Sequence, residues 1–274
     1  MKRFLLLILL SMLSVGGYAQ STKLQVGAER MELLLPLLEG KRVALMVNQS
    51  SLVGATETHL VDTLLSRGVK VVRLFVPEHG LRGKVDAGKA VKSEIDEKTQ
   101  LPVVSLYGQR RRPTPEMLED VDLLLFDLQD VGTRFYTYIS SMHYLMEACA
   151  DEGKTFVVCD RPNPNDFVDG PILQPDCRSF VGGDPLPIAH PSLCLFEATI
   201  MSVGRGTDKP FQALGHPNAG FGQLVFTPRV KVGEDSNPRH KGKPCYGIDY
   251  LEKGLPKGQI SLAPLIDLYR KAES

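Results

Sequence analysis

The sequence predicts an α/β fold: a three-layer domain built on a parallel sheet, followed by a smaller α+β region. Three observations predict it. Five short runs, RVALMVN (42–48), VKVVRLFV (69–76), LPVVSL (101–106), VDLLLFD (121–127) and TFVVCD (155–160), are largely apolar rather than alternating, as befits strands buried on both faces. Helix-like segments separate several of them, which is the rhythm of parallel βα units. From about Asn163 the texture changes, with prolines and glycines crowding PNPNDFVDGPILQPD and GGDPLPIAHPS.

The elements follow in order. MKRFLLLILLSMLSVGGYAQ (1–20) has a basic start, an apolar stretch from Phe4 to about Val15 and small residues ending at Ala19, the pattern of an export signal. The apolar stretch is short for a membrane span, and no stable membrane insertion is expected once the signal is cut. Met31–Leu38 reads as a helix ending at Gly40, and 57–67 as an amphipathic helix closed by Gly68. The polar stretch before the third strand reads as containing a turn of helix. Thr114-Pro115-Glu116 starts a short helix, and 136–151 forms a long one before Gly153. Residues 21–190 are assigned to the sheet domain and 191–274 to the second, partial one. There, PRVKVGEDSNPRHKGKP reads as a charged connector and 261–272 as a helix.

Composition excludes several classes. The 274 residues hold 43% apolar and 23% charged side chains, ordinary values for a globular chain. Acidic and basic groups balance at 32 each, so no nucleic-acid partner is expected. The five cysteines (149, 159, 177, 194 and 245) form no CxxC pair, a poor zinc signal. Cys149 and Cys159 lie in apolar surroundings and read as buried. The first strand is followed by NQSSLVG and not by GxGxxG, so a dinucleotide fingerprint is absent. No cofactor is expected.

Ligands of open α/β sheets bind beyond the carboxyl ends of the strands. There the five strands deliver Asn48-Gln49-Ser50, Glu78-His79, Tyr107-Gly108, Asp127-x-Gln129-Asp130 and Asp160-Arg161-Pro162-Asn163. Five polar termini point to a cleft for something rich in hydroxyls or amides. Glu78 sits just past an apolar strand, where partial burial favours a protonated carboxyl able to act as a general acid. The bland alternative is a turn or helix-capping carboxylate. Gly80 permits a sharp turn, Arg82 is placed to tune Glu78, and His79 reads more readily as a structural hydrogen-bonder than as a base. Asp127 and Asp130 can bind Mg²⁺ or Ca²⁺ or supply a base, although Arg134, four residues on, also suits an ion pair with Asp130. Tyr136 and Tyr138 can stack on a sugar or belong to the core. Arg161 suits an anionic ligand or a bracing salt bridge. Ser202–Thr207, around Arg205, is a glycine-flanked basic loop that resembles an anion cradle.

Longer blocks carry a resemblance. PEHGLRG (77–83), SEIDEKTQLPVVSLYG (93–108), PTPEML (113–118), DLLLFDLQDVGTRFYTYI (122–139), DRPNPN (160–165), SFVGGDPLPIAH (179–190) and LFEATIMSVGRGTDKPFQALGHP (195–217) resemble the bacterial exo-β-N-acetylmuramidase family typified by NamZ, also called YbbC or DUF1343. The resemblance implies a Rossmann-like catalytic domain with a smaller second domain. It also implies release of terminal N-acetylmuramic acid (MurNAc) from peptidoglycan fragments, with Glu78 as a catalytic carboxylate. Glycoside hydrolysis generally needs a second carboxylate, for which Asp127, Asp130 and Asp160 compete. Arg161 or Arg205 would meet the lactyl carboxylate of muramic acid. Asn48, Gln49, Asn163 and His190 would serve its hydroxyls and acetamido group.

Two departures mark the chain as a shortened member. His190 passes directly to Pro191-Ser192-Leu193, where the family continues with a helix and further αβ structure, and the C-terminal domain ends early. Two other readings follow: a non-catalytic muropeptide-binding protein, and a metal-dependent hydrolase or esterase using Asp127 and Asp130. The absence of GxSxG and of spaced histidine ligands counts against the last.

Overall fold

A computed structural model describes residues 25–83, 94–131, 136–162, 190–232, 235–253 and 261–272. The export-signal reading therefore lies outside the described residues, as do Arg134, Asn163 and Cys177. No described helix is long and apolar enough to cross a membrane.

In chain order the elements are α1 (Met31–Leu38), β1 (Arg42–Val47), β2 (Leu52–Val53), β3 (Thr58–His59), α2 (Leu60–Ser66), β4 (Lys70–Val76), β5 (Glu94–Ile95), β6 (Pro102–Ser105), β7 (Leu123–Asp127), α3 (Tyr138–Asp151) and β8 (Thr155–Val158). The second region follows with α4 (His190–Leu193), β9 (Ala213–His216), β10 (Leu224–Phe226), β11 (Cys245–Asp249), α5 (Tyr250–Lys253) and α6 (Ala263–Ala272).

The main sheet runs β5-β6-β4-β1-β7-β8. All its pairings are parallel except β5 with β6. The parallel strands thus stand third, second, first, fourth and fifth, a doubly wound order whose direction reverses between β1 and β7. The all-apolar strands follow from the two covered faces. Val43, Leu45 and Val47 of β1 enter one core with Leu34 and Leu38 of α1 and Leu60, Val61 and Leu64 of α2. Ala44 and Met46, pointing the other way, pack with Leu145, Ala148 and Cys149 of α3. Each Leu-sized side chain buried this way contributes about 1.5–3 kcal/mol.

One local expectation changes and another gains an edge strand. The helix expected over 57–67 spans only Leu60–Ser66, because Thr58–His59 pairs with Leu52–Val53 in a hairpin and the His59 side chain caps the helix at the amide of Val61. In the described part of the stretch before the third strand, an edge strand precedes the expected turn of helix, which Gln100 N closes by donating to Asp96 O at 2.8 Å. Glu94–Ile95 pairs antiparallel with β6, and the Asp96 carboxylate accepts hydrogen bonds from Thr99 N and Oγ1, turning the chain back.

The second region has its own apolar cluster, drawn from Leu193, Phe196, Met201, Val203, Phe211, Leu214, Phe221, Tyr250 and Leu268. It surrounds a three-stranded antiparallel sheet, β10-β11-β9. Gly222 and Gly247 let its backbones approach closely: a Cβ on either would meet a carbonyl oxygen at 2.0 or 1.8 Å.

Candidate active site at the carboxyl edge of the sheet

The loop after β4 carries Glu78. His79 and Gly80 both adopt the left-handed conformation (φ 71° and 72°), a sharp turn uncommon for a histidine. It leaves Glu78 half-buried. The neighbouring strand supplies its partner. β4 and β6 run in register with Val76 opposite Ser105, and two residues beyond each lie Glu78 and Tyr107. The Tyr107 hydroxyl donates to Glu78 Oε1 at 2.9 Å. Burial, then the bond to Glu78, raises the Tyr107 pKa, while the charge of Arg111 opposes the rise.

Two more tyrosines face the same region. Tyr136 and Tyr138 meet edge-on with ring centroids 5.2 Å apart. Burial and the nearby carboxylates of Asp130 and Glu78 push the Tyr136 hydroxyl up to about 12, with Arg205 pulling it back. Tyr138 is raised well above the usual tyrosine value, chiefly by burial. Glu78, Asp130, Tyr107, Tyr136 and Arg205 therefore share one neighbourhood, in which two carboxylates press on the same pair of phenols.

Several other sequence-predicted residues are engaged within the fold. Asp127 is fully buried and Arg161 nearly so, and they pair through both carboxylate oxygens at 2.6 and 2.9 Å. Burial pushes the Asp127 carboxyl up, and the guanidinium draws it back. Arg161 also donates to Leu52 O at 3.0 Å. This pairing takes up both groups, so Asp127 is withdrawn as a second carboxylate or metal ligand, and Arg161 as a partner of a substrate anion. Among the described residues no cluster of His, Cys, Asp and Glu is set to hold a metal ion.

Asn48, expected to serve a sugar, is buried. Its Nδ2 donates to Tyr138 Oη at 2.9 Å and its Oδ1 accepts from Ser50 N and Oγ. Ser51 Oγ reaches Asp127 O at 2.5 Å, Gln129 N donates to Ser50 Oγ, and Gln129 Nε2 donates to Pro162 O. The loops after β1, β7 and β8 are thus stitched together. Gln49 is half-buried against Gly83, where a Cβ would lie 3.0 Å from its Cγ. It lines an open groove of about 420 Å³ with His59, Leu81, Arg82 and Lys98.

Arg82, expected to tune Glu78, pairs instead with Asp96 at 3.2 Å. Asp160 is exposed, and its strand β8 stands three positions from β4. At a strand spacing of about 4.8 Å its strand lies roughly 14 Å along the sheet edge from that of Glu78, one position farther than the strand that leads into Asp130. His190 begins α4, and its side chain lies outside what is described. Arg205 pairs with Glu197 at 2.8 Å and covers the Phe211 ring at 4.7 Å, so its loop is a packed turn and not an open anion cradle. Gly204 and Gly206, both left-handed, let that turn pass within 2.1–2.2 Å of two carbonyl oxygens, measured from where a Cβ would stand.

Sequence reasoning listed Tyr107 as a strand terminus but gave it no role. It did not single out Arg111 or His59. The Tyr107 signal was the shared register of two adjacent strands, readable only once β4 and β6 are known to be neighbours.

Comparison with known proteins agrees with this architecture. The family model for the N-terminal part of the exo-β-N-acetylmuramidase NamZ matches residues 43–207, and the C-terminal model matches 188–269. The peptidoglycan β-N-acetylmuramidase NamZ of Bacillus subtilis (strain 168) is 35% identical over 312 aligned positions, covering 84% of this chain and 73% of that protein. The alignment is longer than this chain's 274 residues. The relative therefore carries segments inside the matched stretch that have no counterpart here, in keeping with an internal shortening. A crystal structure of a DUF1343-family protein from Bacteroides fragilis NCTC 9343 superposes with a TM-score of 0.68 at 35% identity, covering 90% of this chain and 83% of that one. A second from the same strain gives 0.63 at 26% identity with the same coverage. Two family models, a sequence relative and two solved structures converge, and the chain belongs to the NamZ (DUF1343) family.

Proposed function

We propose that this protein is an exo-acting glycoside hydrolase that releases terminal MurNAc from peptidoglycan fragments during cell-wall turnover. The observation that carries the reading is the Tyr107–Glu78 hydrogen bond at the sheet edge, with Asp130 acting on the same tyrosines as Glu78. Glu78 in its acid form protonates the glycosidic oxygen as the C1–O bond breaks. Asp130 is the second carboxylate, assisting attack at C1, and water completes the hydrolysis. Tyr136 offers an aromatic wall to the sugar. The basic, apolar and small-residue pattern of 1–20 supports export to the periplasm or the medium, where such fragments are met.

The test uses a chromogenic MurNAc glycoside with the purified chain. Glu78→Gln and Asp130→Asn each lower the rate by about 100- to 10,000-fold at an unchanged melting temperature, while Asp160→Asn stays close to the parent. EDTA leaves the rate unaltered; chelator-sensitive turnover would favour the metal-hydrolase reading. Binding of MurNAc without any turnover would favour the lectin-like one.

A further inference from the structure

The opposite edge of the main sheet carries a different surface. The turns after α1 and α2 pass through Gly40 and Gly68, both left-handed, and lead into β1 and β4. Those strands are neighbours with Arg42 opposite Lys70, so both turns meet at the amino edge. They border a groove of about 450 Å³, lined on its apolar side by Leu35, Leu38 and Val69.

The charges around this groove do not balance. Lys41, Arg67 and Lys70 line it and are exposed, and Glu39 is the single acid among its lining residues. Among the described residues none of the three cations has a side-chain hydrogen bond or an ion pair. The acids at the same edge are taken, Asp122 by Arg42 and Asp120 by Arg73. Cations are ordinary at helix C-termini, which accounts for Lys41 after α1 and Arg67 after α2. Lys70 belongs to a strand. In the last turn of α1, Leu37 stands between the lining residues Pro36 and Leu38 and is 53% exposed, with Leu33 one turn earlier at 52%.

We propose that this edge docks on an anionic bilayer surface, as a peripheral contact and not an inserted span. Exposed apolar side chains rimmed by unpaired cations match a surface that is anionic outside and hydrocarbon beneath. The cations meet lipid phosphates and Leu37 enters the headgroup layer. A soluble polyanion would engage the cations and leave the leucines in water. The contact also leaves the candidate active site open. Glu78 lies past the far end of β4, whose seven residues, at about 3.3 Å each, set it roughly 20 Å from Lys70. Docking at one edge turns the other away from the lipid.

The experiment sediments the purified chain with vesicles of phosphatidylcholine alone and of an equal mixture with phosphatidylglycerol. The parent partitions onto the mixed vesicles and not onto the neutral ones, and added salt releases it. Lys41→Gln, Arg67→Gln and Lys70→Gln each weaken partition about 5-fold, and the triple variant about 100-fold, at an unchanged melting temperature. Leu37→Ser, at an exposed position, weakens it roughly 3- to 10-fold. A parent chain that ignores the mixed vesicles, or a triple variant that binds them equally well, overturns the proposal. Binding to soluble polyphosphate as tight as to the mixed vesicles, with Leu37→Ser altering neither, overturns it in favour of a soluble polyanion.

Discussion

Two neighbouring stretches of one sheet edge behave in opposite ways. After β1, β7 and β8 the polar residues face one another: Asn48 holds Tyr138, Ser51 holds the backbone of Asp127, and Arg161 closes both oxygens of the Asp127 carboxylate. After β4 and β6 the Tyr107 hydroxyl donates to Glu78, yet both stay half-buried rather than sealed, and Arg111 is exposed. The doubly wound order places its reversal, the usual ligand crevice, at the first stretch. There the groups satisfy each other, and the half-buried Glu78–Tyr107 pair stands one and two strands aside. A polar strand terminus is a candidate ligand group only where its bonds to other termini leave it open to solvent.

The difference can be broken most forcefully at the inner stretch. Arg161→Met leaves the Asp127 carboxylate buried without its cation, which costs about 3–5 kcal/mol. Urea titration reports this as an earlier midpoint, and no surface arginine substitution should match it. A loss under about 1 kcal/mol would mean that the two stretches are equally solvated.

Acid acts on the same inner stretch more gently. His59 donates to Asn48 O, its other nitrogen caps α2, and burial pulls its pKa down from 6.5 to about 4. Between those values the unfolded chain binds the proton and the folded chain does not. The stabilisation is therefore complete above pH 6.5 and is lost as pH falls through 4, by roughly 3 kcal/mol at most. Denaturant titrations across that window show the slope, and His59→Asn flattens it on a lower baseline.

The outer stretch is probed by the smallest change. Tyr107→Phe deletes one hydroxyl from a half-buried pair, so stability shifts by no more than about 1 kcal/mol. The turnover of a MurNAc glycoside falls instead, because Glu78 loses the donor that orients its carboxyl group. A rate equal to the parent's would leave Tyr107 with a packing role alone.

The fold was legible because burial on both faces writes itself into the strands: RVALMV and LLLFD have no polar side to misread. The edge strand β5 and the sheet of β9, β10 and β11 were not, since two to five residues broken by glycine carry too little period to separate from loop. At the site, the half-buried placement of Glu78 was legible from its position after an apolar run. The different surroundings of Asp127 and Asp130 were not. Both stand at the end of the same strand, and what separates them is Arg161, brought to Asp127 by the pairing of β7 with β8.

One modest contact also bears on how the chain is made. Gly27 N donates to Asp160 O at 2.7 Å, and a Cβ at Gly27 would stand 2.7 Å from Asp160 N. Synthesis at roughly 5–20 residues per second brings out Asp160 on the order of ten seconds after Gly27. For most of that interval β1, the central strand, still lacks β7 on one side, and the segment before it has nowhere to dock until Asp160 emerges. The nascent chain must carry that apolar strand half-paired until the fourth parallel strand arrives, a window in which a holding chaperone has an edge to grip.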